Sequence, residues 1–269
     1  MRSLVIIQRD TFSDRGWLSC SGYSFCRNQT VLPLVAAELT KAAAAMPIAF
    51  VRDENAGQFQ LVGLCSLDKG RNLFVAPDGQ WLSSYVPAAL RGYPFALMRI
   101  EASAQILLAI DEASGLVVSN TEPGAKPFFD RDGMPAGPVQ QILEFLSQID
   151  ANLVATNRAL VRLEEAGVIV PWAITLDTPE GHKAVNGLFR VDIDRLRALD
   201  DDSFLKLRID DAIFIALLQL SSVEHLSIFS SLAKLQLKME ENNKINNDTI
   251  DKSFISTEND NLKFDWSNL

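Results

Sequence analysis

The sequence predicts an α+β fold, with a mostly antiparallel β-sheet in the N-terminal half packed against a helix-rich C-terminal half. Up to residue 134, short β-rich runs alternate with turn residues, which is typical of antiparallel strands with tight connections. From Gly137 onward, apolar residues recur at three- and four-residue spacing, which is typical of helices. The chain has 269 residues, of which 48% are hydrophobic, so it can bury a substantial core.

The composition divides the chain into three parts. Residues 1–134 are the β-rich segment, and residues 135–238 are the helix-rich segment of the same globular unit. Residues 239–269 are an acidic segment that we expect to be disordered. Seven acidic residues outnumber three lysines there, and the few apolar residues cannot offset the entropy of ordering the chain.

The elements of the N-terminal half follow from these patterns. We expect a short strand and a polar loop over residues 1–30, and a helix from Val31 to Pro47, because the apolar residues there have helical spacing. Two strands, Ile48–Val51 and Phe59–Leu64, are expected to form a hairpin around the polar turn 53–57. Further runs predict short strands, the last three as a meander: 73–75, 96–101, 105–111 and 116–119.

The C-terminal half is expected to begin with a helix from Gly137 to Gly167. Asn152 and Asn157 indicate an alternative, in which a break divides this stretch into two helices. The remaining predictions are a strand at 168–172, a hairpin turn at 179–181, and helices at 193–199, 210–220 and 223–237.

The stretch from Asn72 to Phe95 combines turn residues, aromatic residues and one arginine more densely than any other part of the sequence. Pro77-Asp78-Gly79 is expected to form a tight turn in which the glycine takes a positive φ. Pro87 and Pro94 restrict the residues before them, so we expect one helical turn between two extended pieces. This stretch is therefore the best candidate for a functional site.

Arg91 is the centre of this candidate site. Its planar guanidinium is suited to a carboxylate or phosphate, and neighbouring aromatic side chains are suited to an apolar or planar ligand. The candidate ligand-binding residues are Arg91, Tyr85, Tyr93, Trp81, Asp78, Glu38 and Asn72. The alternative is that Arg91 pairs with Asp78 or Glu38 and the aromatic residues only pack. Exposure distinguishes the two, because a site requires an open and unpaired arginine.

Several functional classes find no support in the sequence. The net charge of −9 and the lack of a basic run argue against nucleic acid as a partner. No nucleophile, zinc-binding, phosphate-loop or dinucleotide motif occurs, so we assign no catalytic residues, no metal and no cofactor. Cys20, Cys26 and Cys65 form no CxxC pair, and we expect buried free thiols.

The N-terminal apolar run, Leu4 to Ile7, has only four residues, which is too short for a signal peptide. We found no later apolar stretch of the length that a transmembrane segment requires. We therefore expect a cytoplasmic location, with a surface location only through a non-classical export route.

The central stretch resembles the signature of the bacterial SapC family. The motifs that carry the resemblance are Asn72-Leu73-Phe74-Val75, Asp78-Gly79-x-Trp81, Tyr85-Val86-Pro87-Ala88 and Leu90-Arg91-x-Tyr93-Pro94-Phe95. Upstream, the segments 33–38, 47–50 and 61–64 are similar to the opening of that family. A weaker resemblance continues to about Leu232, and the acidic segment lies outside it.

The resemblance implies a function but no catalytic residues. The family takes its name from association with a surface layer, and its members are similar to proteins encoded beside flavin-dependent halogenase-like enzymes and outer-membrane receptors. It implies a non-catalytic binding or accessory protein in surface-layer or outer-membrane uptake functions, with a protein partner or a small anionic or aromatic ligand. The alternative is an enzyme that acts on a small metabolite or peptide in a pathway with such a halogenase-like protein.

Overall fold

The structure is a computed structural model that describes residues 3–53, 57–100, 105–178 and 181–255, with side chains described except at residues 177, 178 and 243–255. The fold class is α+β, as the sequence predicts. Antiparallel sheets lie mostly in the N-terminal half, and helices make up most of the C-terminal half.

The strands and helices are numbered in chain order. The strands are β1 Leu4–Ile6, β2 Arg15–Trp17, β3 Val31–Pro33, β4 Ile48–Arg52, β5 Phe59–Leu64, β6 Phe95–Ile100, β7 Gln105–Asp111, β8 Val117–Ser119, β9 Lys126–Pro127, β10 Ile169–Pro171, β11 Ile174–Thr178, β12 Gly181–Val185 and β13 Leu188–Val191. The helices are α1 Arg9–Phe12, α2 Leu39–Ala43, α3 Ala88–Arg91, α4 Gly137–Glu165, α5 Ile193–Arg197, α6 Asp201–Lys206, α7 Ala212–Ser222 and α8 Ile228–Ile255.

The largest sheet described has the strand order β10-β13-β4-β5-β3, and all neighbours in it are antiparallel. Successive side chains of a strand point to opposite faces. On β4, Ile48 and Phe50 pack into a core shared with α2, α4 and α7, whereas Ala49 packs into a second core with Phe74 and Phe229. Both faces of this sheet are therefore covered, which explains the nearly continuous apolar runs of β4 and β5.

Two three-stranded sheets, β1-β7-β6 and β8-β2-β9, contribute to a third core that includes Phe12, Trp17, Phe95 and Phe128. The expected meander is wrong in its third strand, because β8 pairs with β2. Strand β7 already has β1 on one edge and β6 on the other, so it has no free edge for β8.

Helix α4 is continuous over 29 residues, so the expected alternative of two helices is wrong. Asn152 lies inside it and donates from Nδ2 to the carbonyl of Gln148 at 2.9 Å. The helix begins with a proline in its first turn, where a missing N–H costs nothing. Its last residue is Glu165, and the glycine expected at its C-terminus, Gly167, takes a φ of 67° two residues later.

The expected helix from Val31 to Pro47 is wrong in its first part. Residues 31–33 form the edge strand β3, which pairs with β5, and only Leu39–Ala43 is α-helical. Proline lacks an N–H group, and an edge strand tolerates this at Pro33.

The strand predicted at 73–75 is reduced to an isolated bridge between Val75 and Trp81. The carbonyls of Asn72, Leu73 and Val75 instead accept hydrogen bonds from the side chain of Gln236.

The C-terminal helix α8 continues past the predicted end at Leu237 and reaches Ile255. Residues 256–269 lie outside the described residues, as do the tips of the predicted turns at 54–56 and 179–180. The division of the chain into three segments stays a prediction.

One described stretch, Ile209–Asn242, is long and apolar enough to cross a membrane by length and composition alone. The expected absence of a transmembrane segment therefore also stays a prediction.

Candidate ligand-binding site

The backbone around Arg91 forms the single helical turn that the two prolines predict. Pro87 is extended, with a φ of −53° and a ψ of 142°, and α3 follows it directly. Leu90 is buried and anchors this turn in the core, while Arg91 at its end is exposed. The peptide between Tyr93 and Pro94 is cis. Arg91 therefore lies at the surface on a helical turn whose backbone is anchored in the core by Leu90.

The carboxylate of Glu38 holds this helical turn in place through hydrogen bonds. Its Oε2 accepts hydrogen bonds from the Tyr85 hydroxyl at 2.7 Å and from the backbone N–H of Ala88 at 2.8 Å. Its Oε1 accepts from the backbone N–H of Val35 at 3.1 Å. The residue is only 7% exposed, so three donors stabilise a buried carboxylate. Glu38 thus connects the segment before α2 to the first residue of α3.

The guanidinium of Arg91 has few partners. Its Nη2 donates to the Tyr85 hydroxyl at a long 3.4 Å, and its Cζ lies 5.2 Å from the ring centre of Phe145 and 5.8 Å from that of Tyr85. Within the described part of the chain, no carboxylate lies within ion-pair distance of it, whereas Arg52 and Arg99 each have one. The arginine is therefore exposed and has no ion pair among the described residues, as a binding site requires.

A cavity of about 210 Å³ lies beside this guanidinium, and we call it the anion pocket. Its polar lining comes from α2, α3, α4 and the segments that precede α2 and α3: Glu38, Lys41, Tyr85, Arg91, Gln148 and Asn152. Lys41 is exposed, and among the described residues it has no ion pair. Glu38 already accepts three hydrogen bonds from the protein, so the charges that have no partner in this pocket among the described residues are those of Lys41 and Arg91.

Helix α4 is fixed against this pocket by one buried hydroxyl. Thr156, which is 1% exposed, accepts a hydrogen bond from the backbone N–H of Ala36 at 2.8 Å and donates to the carbonyl of Asn152 at 2.7 Å. These bonds set the distance between α4 and the segment that carries Glu38. Phe145, Gln148 and Asn152 are thereby held opposite Arg91.

Arg91 also lines a second cavity of about 310 Å³, which we call the aromatic pocket. Phe25 and Tyr93 stack in parallel in its wall, with ring centres 3.7 Å apart and an interplanar angle of 5°. Trp17 packs edge-on against Phe95 at 4.9 Å. The pocket is lined by Trp17, Ser19, Cys20, Ser21, Gly22, Tyr23, Phe25, Leu90, Arg91, Gly92, Tyr93, Phe95 and Ile142. Its size is near the lower end of the range for small-molecule sites.

The protonation of Tyr85 is set by its surroundings. Burial and the hydrogen bond to Glu38 raise the pKa of Tyr85 well above the ordinary tyrosine value, and Arg91 opposes this only partly. The phenol therefore stays protonated at neutral pH and keeps donating to Glu38. Its hydroxyl also accepts the long hydrogen bond from Arg91, so Tyr85 connects Glu38 to the guanidinium.

The structure places five of the seven candidate residues in three cavities. Arg91, Tyr85 and Glu38 meet in the anion pocket, and Tyr93 lines the aromatic pocket. Asp78 is exposed and lines a shallower cavity that adjoins the aromatic pocket. Trp81 and Asn72 line none of these three cavities.

Trp81 and Asn72 stabilise the loop that leads to Arg91. The indole of Trp81 stacks on Phe74 and donates to the carbonyl of Tyr85 at 2.7 Å. Asn72 is 1% exposed, donates to the carbonyl of Cys26 and accepts from the N–H of Phe74. Both residues fix the path of the loop that ends in Arg91.

The cysteines differ in exposure. Cys26 and Cys65 are buried as expected, but Cys20 is exposed on a loop that borders the aromatic pocket. Burial raises the pKa of the Cys65 thiol. In the portion of the chain that the structure describes, no three His, Cys, Asp or Glu side chains form a metal-binding group.

Several lining residues were missed from the sequence. Lys41 follows Glu38 by three residues, a helical spacing that places both on one side of the chain. Gln148 and Asn152 are four positions apart in α4, which places them on one face of that helix, but the many other polar residues of α4 gave no reason to single them out. Trp17 and Phe25 come from distant loops and carried no signal.

Comparisons with known proteins give one match. A family model described as SapC matches residues 7–228, which include every candidate residue. No curated protein and no solved structure matches the chain.

Proposed function

Because the chain belongs to the SapC family, we propose that it is a non-catalytic binding protein that holds a small anionic molecule at Arg91. In this proposal it acts as a cytoplasmic accessory protein in surface-layer or outer-membrane uptake functions. Its ligand is a carboxylate or a similar planar anion with an attached apolar group.

The observation that carries the proposal is the exposed guanidinium of Arg91, which has no ion pair among the described residues and lies between two cavities. An arginine fork binds a carboxylate through two parallel hydrogen bonds. Lys41 in the same pocket adds a second positive charge. Charged hydrogen bonds of this kind contribute about 1.5–3 kcal/mol each.

The alternative, an enzyme acting on a small metabolite or peptide, needs a titratable group beside Arg91. The two acidic candidates are poorly suited to that role. Glu38 already accepts three hydrogen bonds from the protein, and Asp78 lies in a different cavity. We therefore place binding before catalysis.

Benzoate is a suitable minimal probe for the anion pocket, because it combines a carboxylate with one apolar ring. We expect it to bind with a Kd on the order of 1 mM, as ligands of this size commonly do. Arg91→Lys keeps the charge but removes the planar fork, so it should weaken binding by about tenfold or more. Isothermal titration or ligand-detected NMR measures both affinities.

The matched control is Arg131→Lys, which changes an exposed arginine in a turn away from both pockets. That variant should bind benzoate like the wild type. Benzoate binding that Arg91→Lys leaves unchanged, or no binding at 10 mM (about ten times the expected Kd), would refute an anion site at this arginine.

A further inference from the structure

Helix α7 is apolar on all sides, but the described residues cover only one of them. Its sequence, AIFIALLQLSS, contains no charged residue. Ala212, Ile215 and Ala216 are fully buried in the core shared with α2 and α4. On the other side of the helix, Phe214 is 43% and Leu217 is 51% exposed. A helix that is apolar all round is typically buried all round, so a further surface is expected to pack on this side.

The preceding helix, α6, has an exposed face with an ordered pattern of charge. Four exposed side chains share this face because they are spaced i, i+3, i+4 and i+7: Asp201, Phe204, Leu205 and Arg208. Arg208 follows the last residue of α6 by two positions, but Leu207 and Arg208 keep helical backbone angles. Leu207 is buried and anchors the helix in the core. The exposed face therefore has an acid at one end, two apolar side chains in the middle and a base at the other end.

The two charges of this face have no ion-pair partner in the described part of the chain. Neighbouring Asp210, in contrast, pairs with Arg158 and Arg162 of α4. Seven residues along a helix span about 10 Å, so Asp201 and Arg208 lie at opposite ends of the apolar pair. Such a face is complementary to an antiparallel copy of itself, because the acid of each copy then lies opposite the base of the other.

We propose that a second copy of this chain covers this face, with a two-fold axis at the apolar pair Phe204 and Leu205 of the two α6 helices. Asp201 of each copy pairs with Arg208 of the other copy. The exposed side of α7 extends the interface. A lipid surface would also cover apolar side chains, but it gives no reason for an acid and a base at opposite ends of the apolar pair.

The size of this surface determines how tightly two copies associate. The backbone N–H of Ile213 donates to the carbonyl of Leu207 at 2.8 Å, so the first turn of α7 adjoins the end of α6. These helices have 11 and 6 residues, and their sides cover about 160 and 90 Å² at a width of about 10 Å. A standard interface buries about 800 Å² per subunit. We therefore expect a reversible dimer with a Kd on the order of 10–100 µM.

Sedimentation equilibrium of the full-length chain between about 1 µM and about 1 mM covers this range of Kd. We expect the wild type to change from monomer to dimer across it. Asp201→Arg and Arg208→Asp each place two pairs of like charges opposite each other in a dimer, so each should raise the Kd by about tenfold or more.

The control for the charge change is Asp132→Arg. Asp132 is exposed and precedes the first turn of α4, whereas the arginines that contact Asp210 lie near the other end of that 29-residue helix. This variant should dimerise like the wild type. Circular dichroism should show unchanged helix content in all three variants, because the substituted side chains are exposed.

A mixture of Asp201→Arg and Arg208→Asp tests the antiparallel geometry itself. In a mixed dimer, each reversed charge faces an opposite charge, so both ion pairs are restored. The two variants should therefore bind each other with a Kd within about threefold of the wild-type value, although each one alone associates poorly. The double variant in one chain should likewise regain self-association.

Three results would overturn the proposal. The first is a wild type that stays monomeric at about 1 mM, which is at least about ten times the expected Kd. The second is a mixture of the two charge variants that associates no better than either variant alone. The third is monomeric wild type that floats with vesicles of neutral phosphatidylcholine, since this apolar surface would then belong to a lipid contact.

Discussion

Glu38 offers the sharpest test of how the site is built, because one buried carboxylate accepts three hydrogen bonds from separate segments. Two of the three donors are the backbone N–H groups of Val35 and Ala88, for which Glu38 is the acceptor among the described residues. In Glu38→Gln, the amide keeps the size of the side chain but replaces one acceptor oxygen with an NH₂ group. A donor then faces another donor, and the charge that strengthened all three bonds is lost.

The expected cost follows from these contacts. Hydrogen bonds to a charged group contribute about 1.5–3 kcal/mol each, and an unsatisfied buried donor costs about 1–3 kcal/mol. Because the three bonds share one carboxylate, their contributions do not add fully. We expect Glu38→Gln to lower the free energy of unfolding by about 2–4 kcal/mol, and Glu38→Ala by about 3–5 kcal/mol.

Urea unfolding at pH 7, followed by circular dichroism, measures these differences. The control is Glu112→Gln, because Glu112 is an exposed residue that pairs with Arg15 at the surface. Such surface pairs contribute about 0–1 kcal/mol. If Glu38→Gln were as mild as Glu112→Gln, the carboxylate would not organise the site, and the reasoning would be wrong.

Three further predictions concern other parts of the molecule. Because the pKa of Tyr85 is raised in the folded protein, the folded state keeps the phenol proton above pH 10, whereas the unfolded chain loses it. The free energy of unfolding of the wild type should therefore fall as the pH rises above about 10. In urea unfolding between pH 9 and 11, this free energy should fall less for Tyr85→Phe than for the wild type. Gln219 is fully buried and forms hydrogen bonds to backbone groups of β4 and β13. Gln219→Leu should therefore lower the free energy of unfolding, measured in urea, by about 2–4 kcal/mol. The control Gln141→Leu, at an exposed position, should lower it by less than about 0.5 kcal/mol. Gly79→Ala should lower the thermal stability by about 1–3 kcal/mol, since φ is 89° there and a Cβ would lie 2.7 Å from the Ser24 hydroxyl; an unchanged melting temperature would contradict this strain.

Local sequence patterns predicted those elements whose structure depends on neighbouring residues. The short apolar runs on either side of a polar turn predicted the hairpin strands β4 and β5, and the two prolines predicted the single turn of α3. The spacing from Gly137 to Gly167 gave the long helix α4. In each case, the hydrophobic period or the restricted backbone already favours one conformation.

The errors arose where distant residues determine the structure. Residues 31–33 have the apolar spacing of a helix, but pairing with β5 makes them a strand. Strand β8 joins β2 because both edges of β7 are occupied, and a local pattern carries no information on that. Tertiary pairing outweighs intrinsic preferences of a few tenths of a kcal/mol per residue.

The site was predictable only in its centre. Arg91 and Tyr85 lie in one dense stretch, so their proximity followed from the sequence. Their partners Phe145 and Gln148 come from α4, and Trp17 comes from β2, so only the folded chain brings them together. The absence of an ion pair at Arg91 among the described residues depends on three-dimensional distances and could not be derived from residue order.

Native mass spectrometry of the protein, gently purified from its own host, tests the central claim most directly. We expect the wild type and Arg131→Ala to carry the same small-molecule adduct, and Arg91→Ala to lack it. The mass of that adduct would identify the ligand class. An adduct that persists in Arg91→Ala, or a wild-type protein that carries only a protein partner and no small molecule, would contradict an anion-binding site at Arg91.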